Sequence, residues 1–285
     1  MSGYCHEISI LGVFLNMRAP IIVLLFLATS SCNNPKSSNN ASNEEAVYPV
    51  VVQDLLHEIE RYPDSTQLRA QLVDTMDSLF LIKEALAQID SLIVRDSINY
   101  GIWYRKGELA ISIADTSLAL NSFSRAATLY ASPDVLLTLA NLYAAQKNKT
   151  ALALCTKVIA QKPDRTYTAH SYYITGLYYE NTGNTKVAIQ NFNTCIQQNY
   201  AYLDAYLEIG WIYFDQKKYT AAKDIFETAT AVKPTDARGH YWNAKCLEKL
   251  GQTEQALNKY QLALNLDNTL TEAADAISRI KAAKK

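Results

Sequence analysis

The feature that most limits the fold of this chain is a repeat in its second half, with a period of about 34 residues. Gly176, Gly210 and Ala244 are evenly spaced by one such period, and residues of matching type follow each of them at the same three distances. The matching residues are Tyr179, Ala188 and Phe192, then Tyr213, Ala222 and Phe226, then Leu247, Ala256 and Tyr260. A period of this length predicts one small unit that is repeated and stacked, so that neighbouring units bury each other's apolar faces.

Weaker copies of the pattern extend the repeat towards the N-terminus. Gly107 and Phe123 occupy matching places in one copy, and Ala140 and Cys155 do so in the next. We predict six repeats, at 66–99, 100–132, 133–168, 169–202, 203–236 and 237–270. The third is irregular, because the loop at 147–149 is short and extra residues at 165–168 restore the phase. A single helix in 48–65 and a C-terminal capping helix in 271–285 are expected to flank the repeats.

The repeat unit is predicted to be a pair of helices. The chain of 285 residues contains only 9 glycines and 7 prolines, the two residues that helices tolerate least. Small residues at the repeated glycine and alanine places allow two helices to approach closely, while the alanine and aromatic residue four positions apart share one helical face.

The segment 204–234 resembles the tetratricopeptide repeat, whose pattern is Trp-x2-Leu-Gly-x2-Tyr, then Ala-x3-Phe, then Pro. The matching residues are Tyr206, Ile209, Gly210, Tyr213, Ala222, Phe226 and Pro234. The resemblance covers about 66–270 and implies an all-α, right-handed superhelical solenoid of helix-turn-helix repeats. It also implies a concave groove, lined by the first helix of each repeat, in which such proteins bind partner proteins or peptides.

Net charge excludes one large class of partner. The chain has 27 Lys and Arg against 28 Asp and Glu, a formal charge of −1. Nucleic-acid binding relies on a surplus of positive charge or a basic stripe, so we expect no nucleic acid partner.

Residues 1–31 are predicted to be a signal peptide. The apolar run 21–28 is too short to span a bilayer as a stable helix, and Arg18, directly after Met17, supplies the positive charge before it. Residues 1–16 contain no Lys or Arg, so translation is expected to start at Met17. Small residues leading to Cys32 resemble a bacterial lipobox, although Thr29 stands where a leucine is usual. The alternative is an ordinary secretory signal with a chance cysteine.

Residues 32–47 are predicted to form a flexible tether between a lipid on Cys32 and the folded body, because they are rich in Asn and Ser and almost free of apolar residues. Asn33 lacks the acidic side chain that resembles an inner-membrane retention signal. The predicted location is therefore the bacterial outer membrane, with the protein facing the periplasm or the cell surface.

No catalytic, metal or cofactor site is predicted. The four histidines are not spaced as metal ligands, and neither a Cys-x-x-Cys motif nor a nucleophile elbow occurs. Cys155 and Cys195 fall on packing places, which favours buried thiols over a disulfide. Asp74 and Asp77 are interpreted as part of a solvated helix face rather than as an acid pair.

The predicted binding groove follows from carrying the family's inward positions onto this chain. Its principal residues are Tyr104, Asn141, Tyr173, Leu177, Trp211, Phe214, Arg238, Tyr241 and Lys245. The same positions also include Glu108, Ile111, Leu137, Ala144, His170, Glu180, Asp204, Leu207 and Glu248. Large aromatic residues suit peptide binding, although some of them are alternatively packed between repeats. Only Asn141 resembles a ligand of the carboxylate clamp by which some family members hold a peptide C-terminus, so that mode is not expected.

Five Asp-Ser/Thr-aliphatic or similar triplets lie within 64–98. Their hydroxyl residues are Ser65, Thr75, Ser78, Ser91 and Ser97. They resemble the O-glycosylation acceptor of exported proteins in Bacteroidota and point to that source. The alternative is that Asp-Ser pairs serve as helix caps and turns.

These features together predict a membrane-tethered adaptor, in which the groove binds a partner as a scaffold for a cell-envelope assembly. The alternative function is a periplasmic binder of soluble substrates or an envelope enzyme without a recognisable motif.

Overall fold

The computed structural model describes residues 48–283, and the predicted signal peptide, Cys32 and tether lie outside the described residues. The described chain forms fourteen α-helices and no strand. The helices are α1 (Val50–Arg61), α2 (Thr66–Ser78), α3 (Ile82–Arg95), α4 (Tyr100–Ser112), α5 (Thr116–Leu129), α6 (Pro133–Ala145), α7 (Thr150–Ala160), α8 (Arg165–Asn181), α9 (Thr185–Gln198), α10 (Leu203–Asp215), α11 (Tyr219–Val232), α12 (Ala237–Lys249), α13 (Thr253–Leu266) and α14 (Thr271–Ala283). The all-helical fold predicted from the repeat is confirmed.

Each helix packs against the next one in the chain, as expected of helices joined by short turns. The pairs α2–α3, α4–α5, α6–α7, α8–α9, α10–α11 and α12–α13 form six consecutive hairpins, with α1 before them and α14 after them. The first helices of successive hairpins also touch through side chains, as Arg105 of α4 does with Asp74 of α2. We call the surface formed by α2, α4, α6, α8, α10, α12 and α14 the first-helix face.

The repeated glycines allow the two helices of a hairpin to meet. A Cβ atom placed on Gly107 would lie 2.6 Å from the ring of Phe123, and one on Gly210 would lie 2.5 Å from the ring of Phe226. Both phenylalanines are fully buried. In α6–α7 the same contact is replaced by Ala140 and Cys155, so a larger residue on the first helix faces a smaller one on the second.

The boundary between the third and fourth repeats differs from the predicted one. The predicted boundary between residues 168 and 169 falls inside α8, because residues 165–168 form its first turn. The carboxylate of Asp164 caps that turn by accepting hydrogen bonds from the backbone N–H groups of Thr166 and Tyr167. The extra residues therefore lengthen a helix and do not form a loop, and α8 contacts both α6 and α7.

The turn inside every hairpin places one residue in the left-handed region. The residues with positive φ in these turns are Phe80, Ala114, Lys147, Gly183, Lys217 and Gly251. In the first hairpin the N–H group of Phe80 donates a hydrogen bond to the carbonyl of Asp77, and the N–H group of Leu81 donates to the carbonyl of Met76. These bonds satisfy carbonyl groups at the end of α2.

No helix within residues 48–283 is long and apolar enough to span a membrane.

Candidate functional site

Four aromatic side chains form a cluster on the first-helix face between α10 and α12. They are Trp211, Phe214, Tyr241 and Trp242, all half-buried, and we call them the aromatic cluster. Trp242 lies at its centre, with ring centroids 5.9 Å from Trp211, 5.3 Å from Phe214 and 5.7 Å from Tyr241, each in an edge-to-face arrangement. The underside of Trp242 stacks on the buried ring of Phe226, 6.0 Å away. The cluster is therefore fixed on its inner side while its four rings stay half-buried, which suits rigid contact with a partner.

Lys245 places a positive charge on this cluster. Its Nζ atom lies 4.2 Å from the ring centroid of Trp242, 5.4 Å from that of Tyr241 and 5.6 Å from that of Phe214. Burial lowers the pKa of the Lys245 ammonium, and the neighbouring Lys249 lowers it further. No carboxylate of the described chain forms an ion pair with Lys245, so the rings are its main support.

Arg238 lies on the same helix as Lys245, but its guanidinium is already paired with carboxylates of the protein. It forms ion pairs of 2.9 Å with Asp236 and with Asp204 of α10. Burial alone would lower the pKa of the guanidinium, but the hydrogen bonds to Asp236 and the charge of Asp204 raise it overall. Arg238 therefore ties α12 to α10, whereas Lys245 forms no ion pair within the described residues.

A cavity of about 520 Å³ lies beside the aromatic cluster, between α12 and α14. Its lining residues are Tyr241, Lys245, Glu248 and Lys249 of α12, Tyr260 of α13, and Glu272, Asp275, Ala276 and Arg279 of α14. Glu248 accepts hydrogen bonds from Arg279 at 2.7 Å and 3.0 Å and from the Tyr260 hydroxyl at 2.9 Å. The hydrogen bonds from Arg279 lower the pKa of Glu248 despite its partial burial.

Tyr173 and its neighbours serve packing between α8 and α10. The Tyr173 hydroxyl donates to the buried carboxylate of Glu208 at 3.2 Å, and His170 Nδ1 lies 2.5 Å from the hydroxyl of Tyr202. Burial lowers the pKa of His170 to about 4 and keeps the ring neutral. Leu177 packs half-buried against the same group. These residues join two repeats and offer little free surface.

The first two repeats carry an ionic group on the first-helix face. Arg105 binds Asp77 at 2.7 Å, Asp74 at 3.0 Å and Glu108 at 3.3 Å. Burial raises the pKa of Glu108, although the charge of Arg105 lowers it. Asp74 and Asp77 lie on the helix surface, as interpreted from the sequence, with side chains 71% and 31% exposed, and both pair with this guanidinium. Tyr104 packs edge-on against Phe123 at 5.2 Å in the same region.

The middle of the predicted groove is closed. Asn141 is 8% exposed, Leu137 4% and Ala144 0%, so the structure places these three residues in the interior. Leu207 of α10 is likewise fully buried. The physical reason is that α6 packs against α8 as well as α7, which covers the face that the family pattern assigns to a ligand. These residues are corrected from groove to core.

Cys155, Cys195 and Cys246 are buried free thiols, which confirms the interpretation of the first two. Burial raises the pKa of Cys155 to about 11 and those of Cys195 and Cys246 to about 12, so all three thiols are protonated at neutral pH. Cys155 borders a cavity of about 380 Å³ between α7 and α8, because its side chain is smaller than the ring of the neighbouring repeats. Within residues 48–283 no group of three His, Cys, Asp or Glu side chains is placed to hold a metal ion.

The five hydroxyl residues of the Asp-Ser/Thr triplets have different surroundings. Ser65 caps α2 by accepting from the backbone N–H of Leu68, as its alternative interpretation requires. Thr75 and Ser91 donate to backbone carbonyls within their helices. Ser78 and Ser97 are exposed. Glycosylation of these residues stays a prediction.

The central residue of the site, Trp242, was not among the residues predicted from the sequence. Trp242 follows Tyr241 directly, and only one of two adjacent helical residues was assigned to the groove. A signal was present, because the second-helix residue Phe226, beneath it, belongs to the repeat pattern and needs a partner on the next repeat.

Residues 173–231 and 213–280 each match a family model described as tetratricopeptide repeat. The matches cover residues 173–280, and the class of protein that the described chain shows is a solenoid of stacked helical hairpins similar to tetratricopeptide repeats. No curated protein matches the sequence.

Several solved structures share this fold. A tetratricopeptide repeat protein from Parabacteroides merdae ATCC 43184 is 16% identical, with a TM-score of 0.63 over 81% of this chain and 91% of that chain. PilW, a type IV pilus biogenesis factor, is 15% identical, with a TM-score of 0.60 over 75% and 99%. The C-terminal part of a repeat protein from Cytophaga hutchinsonii is 18% identical, with a TM-score of 0.54 over 75% and 88%. At these identities the likeness is one of fold.

Proposed function

We propose that this protein is a membrane-tethered adaptor that binds a partner protein through the first-helix face of its last repeats and so scaffolds a cell-envelope assembly. Tetratricopeptide repeats act in general as protein-interaction scaffolds rather than as enzymes, and bind protein or peptide partners. The observation that carries the proposal is the aromatic cluster with Lys245 above it. A cluster of this kind offers large, rigid contact area and an ammonium group without a carboxylate partner in the described chain.

The position of the cluster on the solenoid supports a macromolecular partner. It lies on helices α10 and α12 and continues into the cavity between α12 and α14. A partner segment that follows the first-helix face can therefore contact several repeats in succession. In the first two repeats, by contrast, the charged residues around Arg105 on this face are paired with one another.

The membrane tether is the second part of the proposal. It rests on the apolar run 21–28, the small residues before Cys32 and the polar segment that follows. A lipid on Cys32 would hold the repeats near the outer membrane, and a tether of residues 32–47 with the flexibility that its composition predicts would give a mean reach of roughly 20–25 Å. The adaptor would then present its last repeats to partners in the envelope.

Both parts can be tested in one experiment on the full chain in its native cells. We expect chemical crosslinking and affinity purification to recover partner proteins with the natural chain, and Trp242→Ala to lower that recovery at least about tenfold. Trp103→Ala is the matched control, because Trp103 is also half-buried on a first helix but lies in the second repeat. Cys32→Ala should abolish incorporation of labelled palmitate and release the chain from the membrane fraction.

The outcomes separate the two parts of the proposal. Equal recovery with Trp242→Ala and the natural chain, both folded by circular dichroism, contradicts the binding surface. Palmitate that is still incorporated by the Cys32→Ala chain, or is absent from the natural one, contradicts the lipid anchor.

A further inference from the structure

The two walls of the cavity between α12 and α14 carry opposite charges. Lys245 and Lys249 lie on α12, and Glu272 and Asp275 lie on α14. None of these four side chains has an oppositely charged group within 4 Å among residues 48–283. The cavity therefore holds charges of both signs that form no direct ion pair within residues 48–283.

The other charged pair of the cavity is already satisfied. Glu248 and Arg279 bind each other in a two-pronged geometry, and the Tyr260 hydroxyl donates to the same carboxylate. This pair joins α12 to α14 and fixes the distance between the two walls. The other four charged side chains of the two walls face a cavity whose shape is set by the fold.

Helix dipoles explain part of this arrangement. Lys249 lies in the last turn of α12 and Glu272 in the first turn of α14, where helix dipoles favour these charges without any ligand. Lys245 and Asp275 lie one turn further inside their helices and have no such role. Lys245 and Asp275 are therefore the two charges that helix dipoles do not explain.

The charge of Lys245 is not fully stabilised unless a carboxylate approaches it. Partial burial removes water from the ammonium, and the rings of Trp242, Tyr241 and Phe214 compensate only in part. The equivalent junctions further along the first-helix face show the contrast. Between α2 and α4 the cation Arg105 is paired with carboxylates, and between α10 and α12 Arg238 is paired with Asp204.

We propose that the cavity between α12 and α14 binds a dipolar peptide segment of the partner, in which an acidic side chain pairs with Lys245 and a basic side chain pairs with Asp275. The proposal deepens and rests on the proposed function, since the cavity adjoins the aromatic cluster through Tyr241 and Lys245. A segment that carries charges of only one sign is attracted by one wall and repelled by the other, so the cavity selects segments that carry both charges. Its volume of about 520 Å³ lies within the usual range of ligand sites.

The test uses the full chain and fluorescent synthetic peptides with a common aromatic and aliphatic core. Four sets carry Glu and Lys together, two Glu, two Lys or two Ser, with one to three residues between the variable positions and both orders of Glu and Lys. We expect the best Glu and Lys peptide to bind at least about tenfold more tightly than its Ser counterpart in fluorescence anisotropy. The expected gain disappears at high salt to the extent that the charges are exposed.

Two variants assign the charges. Lys245→Met should remove the gain in affinity that the peptide's Glu provides and keep the gain that its Lys provides. Asp275→Asn should do the reverse. Lys157→Met and Asp54→Asn are matched controls, because both residues are exposed and lie on α7 and α1, away from the cavity. They should leave all affinities unchanged.

Three results would overturn the inference. Equal affinities of the four sets, with binding lost in Trp242→Ala, would refute the dipolar preference and leave the aromatic cluster as the binding surface. Affinity that follows net peptide charge of one sign would refute the two-wall arrangement. Absence of binding by every peptide would count against both the cavity and the groove.

Discussion

The first two repeats and the last two share an interior contact and differ in their surfaces. In both regions a glycine of the first helix faces a buried phenylalanine of the second, Gly107 with Phe123 and Gly210 with Phe226. On the first-helix face, however, Arg105 is held by three carboxylates, whereas Lys245 is held by three aromatic rings. The interior is set by the repeat, while the charges on the face are free to differ and to serve binding.

The largest expected effect tests whether the two interiors are equivalent. Gly107→Ala and Gly210→Ala should each destabilise the fold by about 1–3 kcal/mol, because the new Cβ atom would overlap the phenylalanine ring beneath it. The two losses should agree within about 0.5 kcal/mol, since the contacts are alike. Guanidinium unfolding followed by circular dichroism measures both.

Gly239→Ala is the control for the glycine variants. Gly239 is also helical, but a Cβ atom there would lie 3.1 Å from the methyl group of Thr230, a side chain that can shift. The higher helix propensity of alanine should then make the change neutral or slightly stabilising. A loss at Gly239 as large as that at Gly210 would show that ring overlap is not the cause.

A smaller effect should distinguish the two surfaces. Arg105→Met leaves Asp74, Asp77 and Glu108 close together and should cost about 1 kcal/mol of stability, a loss that salt reduces by screening their repulsion. Lys245→Met should cost nothing, because methionine packs well against Trp242 and removes a partly desolvated charge. Unfolding at low and high salt compares them. Equal losses would mean that Lys245 is as structural as Arg105.

The smallest effect concerns the turns, where the two regions should agree again. Phe80 and Lys217 both adopt a φ of 59°, a conformation that favours glycine. Phe80→Gly and Lys217→Gly should each stabilise the fold by about 0.5–1 kcal/mol, because Phe80 is 89% exposed and neither change empties the core. Differential scanning calorimetry can resolve this gain. Destabilisation in Phe80→Gly alone would assign the phenyl ring a structural contact.

The fold could be predicted because its decisive contacts are local in sequence. Gly210 and Phe226 belong to the two helices of one hairpin, and the same pair recurs at Gly176 and Phe192. The site was harder to predict. The resemblance to the repeat family placed Trp211, Phe214, Tyr241 and Lys245 on one face. It did not place Trp242, because the contacts of that ring with α10 are made between two repeats.

By itself, the sequence determined the repeated helical hairpin, because the spacing of small and aromatic residues admits few other ways to bury them. It also placed Trp211, Tyr241 and Lys245 on the face that the first helices form. The tertiary structure alone decided that α6 closes against α8 and buries Asn141, and that Arg238 and Arg105 are internally paired. It likewise decided that Lys245 lies over aromatic rings beside a cavity with two charged walls. The reason is physical: these outcomes depend on contacts between different repeats, which the period within a single repeat does not specify.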